Sequence, residues 1–291
     1  MSEFRANESD IGVRADVYIA GKYPEFTRSS LEGLFDNHSV SIGGKPVKSS
    51  YKVRVGDKFS VDDSALTNQP ETIELPILFE DDDVLVIDKP AGILTHSKGA
   101  LNLESTVASF IQPYLDKDMI GNRAGIVHRL DRATSGVIIT AKNKSAEQWL
   151  QRQFSTRKTK KIYLAIVEGE LEPKQAIIDV PIARNPKKPQ TFFVNAAGKP
   201  AQTQYTVIKT FNKAGKTLSL LELKPITGRT HQLRVHLAYI GHPIVGDWVY
   251  GNESDHMLLH AESLELTLPD RTRRTFSTEP PEYFMEFQAN G

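Results

Sequence analysis

The sequence predicts an α+β fold with a mainly antiparallel mixed sheet flanked by helices, preceded by a small N-terminal α/β domain. Two observations carry that prediction. Strand-like apolar runs follow one another without helices between them at Ile162–Val167, Gln204–Phe211 and Leu218–Leu223, whereas a doubly wound parallel sheet needs a helix after each strand. Composition also shifts between Asp62 and Asp83, where acidic residues and prolines occur but no Lys or Arg. A polar, proline-containing stretch of that kind reads as a linker, and its negative charge would repel phosphate. The expected division is an N-terminal domain over residues 12–64, a linker over 65–76 and the main domain over 77–291.

In the N-terminal region a short helix precedes a second one, where Arg28-Ser29-Ser30 opens a pattern with Leu31, Leu34 and Phe35 on one face. Ser39-Val40-Ser41-Ile42 then alternates into Gly43-Gly44 and Lys45-Pro46-Val47, a hairpin signal, because two consecutive glycines accept the positive φ values of a tight turn. Gly56-Asp57 marks a further turn before Phe59 and Val61.

The main domain opens with the apolar run Val84-Leu85-Val86-Ile87, which stops at Asp88-Lys89-Pro90-Ala91-Gly92. A short helix is expected over Val107–Leu115, and Gly136-Val137-Ile138-Ile139-Thr140 reads as a buried strand. Ser145–Phe154 has helical spacing, with Ala146, Trp149, Leu150 and Phe154 on its inner face. A helix from about Arg229 to Ile240 and a strand over Leu258–Leu268 complete the pattern.

Composition narrows the function classes. Lys and Arg (36) balance Asp and Glu (36), so net charge gives no argument for a polyanionic partner, and local clusters must carry it. The absence of cysteine excludes disulfides, thiolate metal sites and a cysteine nucleophile. The opening MSEFRANESD is polar and no apolar run approaches the roughly 18 residues of a membrane span, so the expectation is a soluble cytoplasmic protein.

Two charged segments stand out as chemistry. His128-Arg129-Leu130-Asp131-Arg132-Ala133-Thr134-Ser135-Gly136 packs cations around one carboxylate just before the strongest apolar strand. Alone it is an ordinary charged loop. The second, Gly228-Arg229-Thr230-His231-Gln232-Leu233-Arg234-Val235-His236, puts Thr230, Leu233 and Leu237 on one helical face with Arg234 and Ala238 beside it. Arg234 can then be buried toward a sheet, where a neighbouring carboxylate would keep both groups ionised. The rival use of His231 and His236 as metal ligands is disfavoured, since a five-residue spacing does not align two ligands and no glutamate accompanies them.

Taken together with Lys161-Ile162-Tyr163-Leu164-Ala165, Val86–Gly92 and Gly241–Asp247, these segments resemble the RluA/RluD family of pseudouridine synthases, from about Leu78 to Pro269. The resemblance implies a pseudouridine-synthase fold and an isomerase that works without cofactor or metal on structured RNA. Ribosomal large-subunit RNA is the favoured substrate, with tRNA as the alternative and a non-catalytic ribosome-assembly factor as the other reading. It implies that Asp131 is the catalytic aspartate, that Tyr163 stacks on the target base and acts as general base, and that Arg234 pairs with the aspartate. Arg129 matches the arginine that enters the RNA as the target nucleotide leaves its stack. None of these positions is substituted. Whether the carboxylate acts as a nucleophile or stabilises a sugar intermediate stays open.

The N-terminal region is similar to the S-four-type RNA-binding domain through Arg28-Ser29, the Val40–Val47 hairpin and Val55-Gly56-Asp57, which makes Arg28 and Lys45 candidate RNA contacts. Its opening, Arg14-Ala15-Asp16-Val17-Tyr18, departs from the usual hydrophobic-basic pattern. Arg157, Lys158 and Lys160, with Arg152 and Lys161, form a basic cluster expected to meet phosphate, and Arg184, Lys187 and Lys188 form another. A monomer is the expected state.

Overall fold

The computed structural model describes residues 1–24, 26–67, 71–97, 99, 104–119, 121 and 123–289. Asn68–Pro70 of the expected linker lie outside the described residues. Contacts divide the chain into two units. The first comprises Met1–Ile73 with His96–Phe110 and Ile120–Ala124, and the second comprises Glu74–Thr95, Ile111–Met119 and Gly125–Gly291.

The first unit holds strand β1 (Ser2–Arg5), helices α1 (Ala15–Ala20) and α2 (Glu32–Asp36), strands β2 (Val40–Ile42), β3 (Lys45–Pro46) and β4 (Lys58–Val61), and a helical turn α3 (Ser64–Thr67). Its strands form an antiparallel sheet in the order β1-β4-β2-β3. Gly43 and Gly44, at φ 56° and 76°, make the tight turn between β2 and β3. Ile19, Leu34, Val40, Phe59 and Val61 close a small core. Asp16 is buried and ionised between two arginines: Arg14 donates from Nη2 at 2.9 Å and Arg28 from Nη2 at 2.8 Å. The hydrogen bond from Arg14 outweighs burial and lowers the carboxyl's pKa. The acidic residue in the helix opening is therefore the anchor that fixes both guanidinium groups. Helix α4 (Val107–Ile111) follows later in the chain, continued by a 3-10 turn over Gln112–Tyr114 where a longer helix was expected.

The second unit holds strands β5 (Ile77–Glu80), β6 (Val84–Lys89) and β7 (Ser135–Ala141), helix α5 (Lys144–Ser155), and strands β8 (Lys160–Glu168), β9 (Gln175–Asp179), β10 (Ile182–Arg184) and β11 (Phe192–Val194). Strands β12 (Gln202–Lys213) and β13 (Lys216–Pro225), helix α6 (Gln232–Tyr239), strands β14 (Leu259–Thr267) and β15 (Arg273–Ser277), and helix α7 (Glu282–Ala289) complete it. Among the described residues, nine of these strands make one sheet in the order β5-β6-β7-β14-β8-β13-β12-β9, with β15 added on β14; β10 and β11 form a separate hairpin. Every pairing in the large sheet is antiparallel except β7 with β14. This is the mainly antiparallel α+β architecture that the sequence predicts.

The two-residue period of the strands decides which helix covers which face. Ala165 and Val167 of β8, with Leu221 and Leu223 of β13, pack under Leu233 and Leu237 of α6. Their neighbours Ile166 and Leu220 turn to the opposite face and meet Phe284 of α7. Helix α5 buries Ala146 and Leu150 against Val84, Val137, Ile139 and Leu264. Its N-terminus is capped by Asn143, whose side chain accepts from the Ala146 N–H at 2.9 Å. No helix among the described residues is long and apolar enough to cross a membrane.

The single parallel junction rests on Gly136. It has φ 113°, and a Cβ there would fall 2.2 Å from the carbonyl oxygen of Ala261 in β14. Gly136→Ala must part β7 from β14, and we expect it to cost about 2–4 kcal/mol. Urea unfolding followed by the fluorescence of Trp149 and Trp248, both in the second unit, measures this. A loss below ~0.5 kcal/mol would show that the junction does not depend on the close approach.

Candidate active site

Asp131 sits in the loop that leads into β7, and buried contacts clamp that loop on both sides. Ahead of it, the Thr95 hydroxyl donates to the Leu130 carbonyl at 2.9 Å and accepts the Leu130 N–H at 3.2 Å. Behind it, the Arg132 carbonyl accepts from the Gly92 N–H at 2.8 Å and from Lys89 Nζ at 3.3 Å. Lys89 is completely buried, and it also donates to the carbonyls of Pro90 (2.8 Å) and Ile93 (2.9 Å). Burial pulls its pKa down to about 7 despite the nearby charge of Asp131. The Asp88–Gly92 segment, which the sequence marked as the end of a strand and as part of a family-like motif, is thus the foundation of the Asp131 loop.

The carboxylate faces a cleft of about 570 Å³ lined by Arg129, Asp131, Arg157, Lys161, Tyr163, Arg229, His231 and Arg234, among others. Arg234 comes from α6, which begins three residues later than expected, at Gln232, because His231 takes a left-handed conformation (φ 56°) at the N-cap. The guanidinium reaches Asp131 from Nη1 at 3.4 Å, but its principal partner is a different carboxylate. Asp247, fully buried, accepts from Arg234 Nε at 2.8 Å and Nη2 at 2.7 Å. Burial opposes the charge on Arg234, yet the hydrogen bonds and charge of Asp247, with those of Asp131, outweigh it and raise its pKa. Arg234 is therefore a fixed cation offered to Asp131, not one half of a closed pair with it.

Tyr163 lines the same cleft from β8, and burial followed by the charge of Asp131 drives its phenol pKa upward, so the resting phenol is protonated. His231 Nε2 lies 3.8 Å from Asp131 Oδ1, and burial lowers its pKa. His128 stacks on Phe154 with centroids 4.5 Å apart and accepts the Ile139 N–H on Nε2 at 3.0 Å. Burial brings its pKa to about 3, so it is neutral. His236, the other half of the metal reading, engages Thr203 through Nδ1 and the Val180 carbonyl through Nε2, both at 3.0 Å.

The basic cluster divides along the pleat of β8. Arg157 and Lys161 face the cleft, whereas Lys160 turns outward to Glu265 at 3.1 Å. The Lys158 carbonyl accepts from Arg273, and its side chain is not part of the cleft wall. Arg184, on β10, packs over Phe192 at 5.6 Å. In the first unit, Lys45 is exposed on β3 and Arg28 is tied to Asp16. Sequence reasoning grouped Lys161 with Lys160 as phosphate contacts without separating their faces, and it placed Lys89 and Asp247 in family-like segments without giving either a role. The available signal was that a buried arginine needs a carboxylate partner, and Gly246-Asp247 offered a second candidate.

A carboxylate held beside a fixed guanidinium, under a protonated phenol and with a basic rim, suits an enzyme that works on a polyanion by proton transfer and charge stabilisation. The chain belongs to the RNA pseudouridylate synthase family, whose model matches residues 83–239. It is an isomerase that converts uridine to pseudouridine in RNA. An uncharacterized RNA pseudouridine synthase of Aquifex aeolicus is 40% identical over 247 residues, covering 83% of this chain and 78% of that protein. Ribosomal large subunit pseudouridine synthase D of Nitrosomonas europaea is 39% identical over 274 residues, covering 89% and 78%. Among solved structures, human RNA pseudouridylate synthase domain containing 1 aligns with a TM-score of 0.59 at 29% identity, over 74% of this chain and 87% of that one.

Removing the fork that anchors Arg234 leaves a buried cation without its bidentate partner. We expect Asp247→Ala to destabilise the protein by about 3–5 kcal/mol, read from urea or thermal unfolding. A loss under ~1 kcal/mol would mean that the pair behaves as an exposed one.

Proposed function

We propose that this enzyme modifies structured RNA of the large ribosomal subunit in the cytoplasm, with Asp131 as the catalytic carboxylate. The observation that carries the assignment of Asp131 is its setting: a loop clamped on both sides by buried bonds, with Arg234 offered at 3.4 Å. The substrate reading is supported by relatives that carry the name ribosomal large subunit pseudouridine synthase D. In this reading residues 12–64 are an S-four-like RNA-binding domain, 65–76 a linker and 77–291 the catalytic domain, and Arg28 and Lys45 meet RNA.

The reaction breaks the bond from N1 to the ribose C1′, turns the base, joins C5 to C1′ and releases the C5 proton, while N1 gains one. Asp131 promotes the cleavage either by attacking C1′ or by stabilising a sugar intermediate, and Arg234 holds it in place from 3.4 Å. The uracil is reachable only after it leaves its stack, at a cost of a few kcal/mol. Arg129 fills the vacated space, and Tyr163 stacks on the base. Because the Tyr163 phenol is protonated at rest, its part in proton movement at the sugar starts from the neutral O–H.

Tritium release from RNA labelled at uracil C5 tests this. Wild type should release it, Asp131→Asn should release none, and Tyr163→Phe should bind RNA while losing turnover. Activity in Asp131→Asn would end its role, and full turnover in Tyr163→Phe would remove the phenol from proton transfer. Release from tRNA but not from large-subunit rRNA would redirect the substrate reading. For phosphate contact, Arg157→Gln combined with Lys158→Gln should reduce the salt slope of RNA affinity by about 1–2; an unchanged slope removes both from the interface.

A further inference from the structure

His231 lines the cleft without a part in the chemistry above, and three observations set it apart. It is a non-glycine residue in the left-handed region at a helix N-cap, where Ser, Thr, Asp or Asn in extended conformation is the rule. Such strain persists only where the surroundings enforce it. Its ring is walled edge-on by Phe192 of β11 and by Tyr250, with centroids 5.6 Å away in each case. Its two nitrogens face different chemistry: Nδ1 meets the Tyr250 hydroxyl at 2.8 Å, and Nε2 looks at Asp131 Oδ1 across 3.8 Å.

The tautomer follows from the phenol. Tyr250 Oη accepts the Phe192 N–H at 2.9 Å, and burial raises its pKa, so it carries its proton. Among the described residues the only acceptor bonded to that hydroxyl is His231 Nδ1. The O–H therefore points into Nδ1, and the imidazole proton is left on Nε2, aimed at the carboxylate. Tyr250 is itself held by Asp247, whose Oδ1 accepts its backbone N–H at 3.2 Å, and its ring lies 5.1 Å from the Arg234 guanidinium.

We propose that His231 is a positioning residue for Asp131, held by Tyr250 and the β10–β11 hairpin in the tautomer that turns a neutral N–H toward the carboxylate. The inference rests on Asp131 being the catalytic group. A neutral donor steadies one carboxylate oxygen without neutralising it, leaving the other to Arg234 and the sugar. A protonated ring would add a second full cation beside Arg234 and draw Asp131 into an ion pair. The charged or titratable groups around the ring are Asp131 and Arg129 from the loop before β7, Arg234 from α6, and Asp247 and Tyr250 from the segment after it; Asp131 and Asp247 favour ring protonation, while Arg234 and Arg129 oppose it. The Tyr250 hydrogen bond also opposes it, because Nδ1 must lose that donor to take a proton. Removing the hydroxyl should thus raise the imidazole pKa and extend the inactive protonated form to higher pH.

The decisive variant is His231→Asn, since Asn tolerates the left-handed backbone and keeps a polar atom near Tyr250 but has nothing to offer Asp131. With tritium release as the assay, kcat should fall at least tenfold with KM for RNA within about twofold. His231→Gln, whose amide reaches the Nε2 position, should recover part of kcat. Tyr250→Phe should move the acid limb of the kcat profile to higher pH. In the free enzyme the imidazole 15N spectrum, assigned by the signal lost in His231→Asn, should show Nε2 protonated and Nδ1 bare. Wild-type kcat and pH profile in His231→Asn, a protonated Nδ1, or a loss confined to KM or to thermal stability would each overturn the proposal. Asp131→Asn run in parallel separates the two readings: if it is inactive while His231→Asn is fully active, only the positioning role falls, and if Asp131→Asn is active, the catalytic assignment itself falls.

Discussion

The buried fork between Arg234 and Asp247 is the interaction on which the site depends. A guanidinium at the bottom of a cleft is tolerable only when its donors are satisfied, and Asp247 satisfies two of them at 2.7 and 2.8 Å. That leaves Nη1 directed at Asp131 in an orientation that Asp131 does not have to enforce. Asp247 does more with the same oxygen: Oδ1 also accepts the backbone N–H groups of Val249 and Tyr250 at 3.0 and 3.2 Å. One buried carboxylate thus sets both the cation and the segment that carries the phenol beside it. Asp131 is therefore not needed to hold the guanidinium in place.

The other half of the arrangement is the Asp131 backbone. Lys89 gives its ammonium hydrogens to three carbonyls, one of them that of Arg132, next to the carboxylate. A buried amine with only carbonyl acceptors titrates far below its usual range, and the pKa near 7 reflects that. The negative charge of Asp131 close by offsets part of the cost of burying that amine. A carboxylate on so clamped a backbone needs no reorganisation to meet charge that develops beside it, which is what the role proposed for Asp131 asks for.

Much of this was legible in the sequence, for reasons that particular residues make plain. The α+β class followed from consecutive apolar runs, and the pairing of Asp131 with Tyr163 and Arg234 in one cleft followed from motifs that match a family in order. Residue-level partners were less accessible. Helical periodicity correctly buried Arg234 but cannot say which carboxylate meets it, because Asp131 and Asp247 come from loops whose paths depend on the whole sheet. The division between Lys160 and Lys161 turns on the phase of one strand, and a stretch with four basic residues in five gives no phase. The left-handed cap at His231 was invisible, since local propensity would continue the helix through it; consistency between levels fails at the position that faces the reactive group, as expected of functional sites.

Charge distribution reconciles an electrically neutral chain with a polyanionic substrate. The cleft is lined by Arg129, Arg157, Lys161, Arg229 and Arg234, while the carboxylate in its wall among the described residues is Asp131. Asp247 is sealed beneath Arg234, and His128 and Tyr163 are kept neutral by burial. The wall is therefore rich in positive charge, and acidic residues elsewhere cancel it only in the sum. A low-dielectric cleft focuses such a field, so a chain of no net charge still presents a local surface suited to a polyanion.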